Sequence, residues 1–187
     1  MFNTAEKYGL ISILLHWIMA FAIIGLFAIG WYMVDLTYYD SLYKTLPEIH
    51  KSVGILVAIL LIIRIIWSQF DAKPEPENSN SHFIQIAAAT THICLLSLTA
   101  IILFSGYLIS TAEGAAIAVF DIFEVPATVT SISEQEDRAG FIHKYLAYAI
   151  FGLTLLHAVA ALKHHFYSRD NTLRKILGLR MVDTGEQ

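Results

Sequence analysis

Four apolar stretches, each long enough to cross a bilayer, constrain this 187-residue chain more than any other feature. The first covers residues 9–34, where His16 is the sole strongly polar side chain, and it exceeds the roughly 20 residues that a spanning helix needs. It has neither the short apolar core nor the small-x-small site of a cleaved signal peptide, so it is expected to stay as a span. The second has its apolar centre at 53–67, reaches spanning length over about 50–70, and holds one charge in that centre, Arg64. The third covers about 83–110 and opens with a weakly polar turn around Gln85, Thr90, Thr91 and His92. The fourth, about 139–163, carries His143, Lys144 and His157. With 56% apolar and 15% charged residues and a mean hydropathy of +0.59, the chain is neither disordered nor a charged nucleic-acid binder. The expected fold is all-α: an integral membrane four-helix bundle over residues 1–170, with a short tail at 171–187.

The connections support this division. Residues 35–48 form a polar, tyrosine-rich loop with Pro47, and 71–81 have the Pro, Asn and Ser content of an exposed turn. Residues 111–139 are long for a structureless link, and their AIAVFDIFEVP segment predicts a partly ordered cap at the membrane surface. Lys7, Arg64, Lys73, Lys163, Arg169, Arg174, Lys175 and Arg180 fall on the side of both termini, against Lys44, Lys51, Arg138 and Lys144 on the other. This bias predicts that both termini are cytoplasmic. The opposite side carries nine acids against those four bases, so the net charge of −4 hides a basic face and an acidic one.

With one cysteine, Cys94, the chain cannot build an internal disulfide, a cysteine-ligated cluster or a Cys-x-x-Cys-His haem attachment. It has eight histidines instead. Counting about 1.5 Å of rise per residue puts His16 and His157 level, roughly 9 to 10 Å inside the cytoplasmic edge. By the same count His50 and His143 are level near the opposite edge. His143 and His157 lie 14 residues apart, about 40° short of four full turns, so they face nearly the same side of one helix. Two level histidines on different helices supply opposed imidazoles to a planar macrocycle, and filling both axial positions of a haem iron suits it to one-electron transfer. Zinc fits less well, because each level pair offers two imidazoles and no convergent cysteine or carboxylate. Gly54, Gly140 and Gly25 lie near the proposed ligands, where small residues admit a porphyrin but also promote plain helix packing.

The remaining polar residues are read with alternatives open. Arg64 either pairs with buried anions such as haem propionates, bonds a quinone carbonyl, or snorkels to the headgroups. Ser12, one turn before His16, adds a hydroxyl to the same region. Lys51 and Lys144 each follow a proposed ligand and either compensate propionates or reach water. His92 is an outer contact, part of a quinone pocket, or a spare ligand. His82 is read as a loop residue, and His164 and His165 as solvated or facing headgroups.

At these positions the sequence resembles the bacterial cytochrome b561 family of four-helix dihaem membrane proteins, itself similar to the cytochrome b subunits of hydrogenases and formate dehydrogenases. The resemblance rests on His16-Trp17, HKSVG at 50–54, GYLIS at 106–110, the pair His143 and His157, and ALKHHF followed by RDNTL. It implies two haem b groups, His16 with His157 on the cytoplasmic side and His50 with His143 on the periplasmic side. It also implies an inner-membrane, multi-pass location and ubiquinone as the membrane-side partner. One activity known in the family is superoxide:ubiquinone oxidoreductase, although an acidic outer face repels an anion. The expected function is therefore electron transfer between a periplasmic partner and the quinone pool, with superoxide or a small redox or quinone-binding protein outside. The alternative is a haem-bearing membrane anchor of a larger dehydrogenase.

Overall fold

The computed structural model describes residues 1–75 and 81–181. Four long helices form over the apolar stretches: α1 (Leu10–Met33), α2 (Thr45–Phe70), α3 (His82–Ser110) and α4 (Gln135–Lys163). All four are long and apolar enough to cross a membrane. Side chains such as Phe21, Ile62, Ile101 and Leu156 remain exposed along them, which is how helices look when lipid rather than water covers their outer faces.

Three helix starts differ from the sequence expectation, and one of them is α4, which opens at Gln135 within the expected 111–139 connection. Helix α2 begins at Thr45, inside the expected loop, because Pro47 falls in the first turn, where a missing N–H costs nothing, and Glu48 complements the helix dipole there. His82 opens α3 instead of lying in a loop. Of the exposed turn expected at 71–81, residues 76–80 lie outside the described residues.

The long connection between α3 and α4 contains a small antiparallel hairpin, β1 (Ile117–Val119) and β2 (Phe123–Val125), with Ala118 opposite Glu124. Phe120 and Asp121 turn it with φ of 49° and 56°. Buried Ser52 on α2 pins it: the Ser52 hydroxyl donates to the Ala118 carbonyl and accepts from the Phe120 amide. Tyr107 of α3 holds the next segment, donating to the Pro126 carbonyl and accepting the Thr128 amide at 2.7 Å.

After Lys163 the chain makes one π turn (His164–Ser168), which Arg169 ends in the left-handed region with φ 53°, and then a short helix α5 (Thr172–Ile176). The tail is thus partly helical, and Trp17 of α1 donates its indole N–H to the Ile176 carbonyl. Residues 182–187, the end of the expected tail, lie outside the described residues.

By its contacts the chain falls into two compact units. Unit 1 comprises Met1–Ile18, Ile62–Leu96 and Gly152–Gln187, and unit 2 comprises Met19–Leu61 and Ser97–Phe151. Unit 2 has its core at Met19, Val57 and Leu61, with Ile23, Leu26, Val53 and Leu103 packed on it. In unit 1 the amino-terminal segment folds back onto α2. Asp71 accepts the Asn3 amide and the Ser12 hydroxyl, and Phe2 stacks on Trp67. Gly9 is required there, since a Cβ would run into the backbone of Met1 and Phe2.

Candidate functional site

Unit 2 brings His50 of α2 and His143 of α4 face to face, ring centres 6.2 Å apart with planes at 69°. Both line a cavity of about 790 Å³ whose wall is mostly apolar and includes one glycine from each long helix: Gly30, Gly54, Gly106 and Gly140. These glycines serve two purposes. A Cβ on Gly30 would stand 3.2 Å from Cε1 of His50, and one on Gly106 would stand 3.1 Å from Cε1 of His143, so each imidazole leans on bare backbone. A Cβ on Gly54 or Gly140 would meet nothing within 4 Å; here the missing side chains keep the cavity open. Gly25 does not line it.

The two rings are held differently. Nδ1 of His143 lies 3.0 Å from the Ser105 hydroxyl and 3.1 Å from the Ile102 carbonyl, and Ser105 donates to that same carbonyl at 2.8 Å. A carbonyl only accepts, so Nδ1 carries the proton and Nε2 keeps its lone pair for a ligand. The Nδ1 of His50 is buried and has no hydrogen-bond partner among the described residues. Lys51 and Lys144 line the same cavity together with Asp35 and Glu136.

Unit 1 pairs His16 of α1 with His157 of α4, ring centres 6.4 Å apart with planes at 60°. A third imidazole, His92 of α3, stands 5.2 Å from His157. Arg64 lies within electrostatic reach of all three. Trp17 packs edge-on against His16 at 5.3 Å. Ser12, one turn earlier, donates to Asp71 and accepts the indole N–H of Trp67 at 3.1 Å.

His164 and His165, expected to be solvated or to face headgroups, are not simply solvated. His164 binds the buried carboxylate of Asp170 at 2.7 Å, and Nδ1 of His165 is buried. The π turn folds both back against the chain instead of presenting them to water.

The residues fit a planar macrocycle with two imidazole ligands. An imidazole nitrogen binds a metal at about 2 Å, so two rings on opposite sides of one ion have centres roughly 6 Å apart. Both pairs have that spacing. The orphaned Nδ1 of His50 and the backbone left bare by Gly54 and Gly140 belong to the same cavity. Among the described residues no three His, Cys, Asp or Glu side chains converge on a metal ion by themselves. Sequence reasoning did not find Gly30, Ser105 or the Ile102 carbonyl. On α3 the sequence offers only Thr99, Ser105 and Gly106 as small or polar residues spaced along the helix, which marks a face without naming the histidine it meets.

Comparison with known proteins agrees with this chemistry. Residues 7–179 match the family described as prokaryotic cytochrome b561. The chain is 45% identical to cytochrome b561 homolog 2 of Escherichia coli (strain K12), covering 98% of this chain and 97% of that protein. It is 28% identical to cytochrome b561 homolog 1 of the same organism, over 94% of this chain and 99% of the relative. A Yersinia pestis protein named probable superoxide oxidase CybB is 26% identical, over 92% of this chain and 96% of that one. With four membrane-crossing helices and a family match over nearly its whole length, the chain belongs to the prokaryotic cytochrome b561 family, as a haem b-binding, multi-pass electron-transfer protein of the inner membrane.

Proposed function

We propose that the chain is a dihaem cytochrome carrying single electrons between a periplasmic partner and the quinone pool. The observation that carries this reading is the pair of imidazole couples, one in each compact unit, with ring centres 6.4 and 6.2 Å apart. His16 and His157 are assigned as axial ligands of one haem, and His50 and His143 as ligands of the other. A haem b held by two imidazoles would supply one-electron transfer there.

The chain's own residues orient and tune. Gly30 and Gly106 set the faces of His50 and His143, while Gly54 and Gly140 leave room for the macrocycle. Lys51 and Lys144 are placed to balance propionate charge at the cavity of unit 2. Arg64 puts a positive charge within electrostatic reach of the imidazoles of unit 1, and Ser12 and His92 are assigned as polar groups of a quinone region. The excess of basic residues on the side of both termini supports a cytoplasmic position for unit 1's pair.

Outside, superoxide is one candidate donor, since a relative carries the name of a superoxide oxidase. The nine acids against four bases on that side instead favour a small, basic redox or quinone-binding protein. Stopped-flow mixing of the purified protein with superoxide, ubiquinol and menaquinol decides among these readings. Electron exchange with ubiquinol at catalytic rates is the expected result. A haem-loaded protein that is inert to quinols and revives only with a dehydrogenase partner would make the chain an anchor subunit instead.

A further inference from the structure

We infer that Ser105, acting with the main-chain carbonyl of Ile102, is a positioning residue for His143 that sets the ring's tautomer and lowers the reduction potential of the haem it binds. The inference rests on the dihaem reading and deepens it.

The hydrogen bonds admit one consistent arrangement of protons. The Ile102 carbonyl accepts from the Ser105 hydroxyl at 2.8 Å and lies 3.1 Å from Nδ1 of His143, so it faces two groups that must both be donors toward it. Ser105 has one proton and gives it to that carbonyl. Its oxygen, 3.0 Å from Nδ1, is then left as an acceptor. The Nδ1–H of His143 therefore feeds two acceptors at once. A mid-helix serine commonly bonds back to a carbonyl a turn earlier, and that bond alone needs no histidine. Here the back-bond turns the serine oxygen toward an imidazole on another helix. Ser105 is 4% exposed, so water does not compete for the same proton.

Two acceptors on Nδ1–H make the ring more imidazolate-like and Nε2 a stronger donor to iron, which favours the ferric state. His50, the opposite ring, has no such partner on its buried Nδ1 among the described residues. The ligation in unit 2 is therefore asymmetric. His143 is fixed in tautomer and rotation from α3, and His50 is set by burial and by the bare backbone of Gly30.

The test is a potentiometric titration of the purified, haem-loaded protein followed optically, with S105A, S105T and S97A compared with the native chain. The potential that disappears in H143A identifies the haem of unit 2. S105A is expected to keep two haems and move that potential upward while leaving the other in place, S105T to return it toward the native value, and S97A to move neither. Should S105A lose this haem, S105C, whose thiol is a weaker acceptor, is expected to show the same upward shift in smaller measure. Two retained haems with an unmoved potential, or an equal shift of both, would overturn the role of Ser105 and leave the dihaem reading intact. A native chain without two b haems would overturn both.

Discussion

In unit 2 the rings of His50 and His143 face a cavity of about 790 Å³, with a glycine from every long helix in its wall and one ring bonded to a hydroxyl and a carbonyl. In unit 1 the rings of His16 and His157 are accompanied by a third imidazole and a guanidinium, His92 and Arg64. The ring spacings, 6.2 and 6.4 Å, are nearly equal. Spacing is thus what the two places share as ligand sets, and the surroundings are what separate them electrically. A cation near a haem resists the extra positive charge of the ferric state, and a hydrogen-bonded ligand supports it. The two sites are therefore expected to titrate at separate potentials, with unit 1 the higher.

Removing a ligand is the strongest way to break this comparison. His143→Ala is expected to halve the haem content by emptying unit 2 alone, and His157→Ala to do the same for unit 1, as measured by pyridine haemochrome against protein. Two full haems in either variant would refute the pairing. Filling the cavity comes next. Gly54→Leu and Gly140→Leu introduce side chains where nothing stands within 4 Å of a Cβ, so the helices should form while the unit 2 haem is largely lost. Gly25→Leu, equally open but away from this cavity, should retain the unit 2 haem. Normal haem content in the Gly54 and Gly140 variants would mean that the cavity does not hold the macrocycle.

The contrast between the sites also marks what the sequence could disclose. Four apolar runs and a 1.5 Å rise per residue place His16 level with His157 and His50 level with His143, and the structure brings these same pairs together. Helical rise is a local property, so depth survives without knowledge of packing. Which side of a ring is supported depends on how neighbouring helices turn toward it. Gly30 lies 20 residues from His50, and Ser105 lies 38 from His143; no spacing within one helix reveals either contact. Gly54 and Gly140 were visible because they share a helix with the histidine they serve. The hairpin at 117–125 was legible only as a partly ordered cap, since the Ser52 bonds that fix it come from a different element.

Arg64 offers the next sharpest test. A unit charge roughly 10 Å away in a medium of effective dielectric about 20 contributes on the order of 1–2 kcal/mol, which is roughly 40–90 mV for one electron. Arg64→Met should therefore lower the unit 1 potential by about that amount and narrow the gap between the two haems. The unit 2 potential should stay in place. A titration in which Arg64→Met moves both potentials alike, or neither, would remove the guanidinium as the source of the difference.

The smallest effect is expected outside the spans, where unit 1 carries a buried carboxylate. One oxygen of Asp170 accepts from His164 at 2.7 Å and the other accepts the Thr172 amide at 2.9 Å, starting α5. Burial by itself pushes the Asp170 carboxyl up, but the hydrogen bonds from Thr172 and His164 outweigh it and hold the group below its ordinary value. The folded state thus prefers the charged form more than the unfolded chain does. Its contribution is fully present above the ordinary carboxylate range and is lost as pH falls through the lowered value. Asp170→Asn should cost α5 about 1–3 kcal/mol at neutral pH, read as roughly 5- to 150-fold faster hydrogen exchange at the Thr172 amide. The native chain should show the same loosening only under acid conditions, after correction for the intrinsic exchange rate. Because Asp170 lies beyond the end of the fourth span, the two haem potentials should move far less in Asp170→Asn than in Arg64→Met. Unchanged protection at Thr172 would show that the Trp17 bond to Ile176, rather than Asp170, holds the tail.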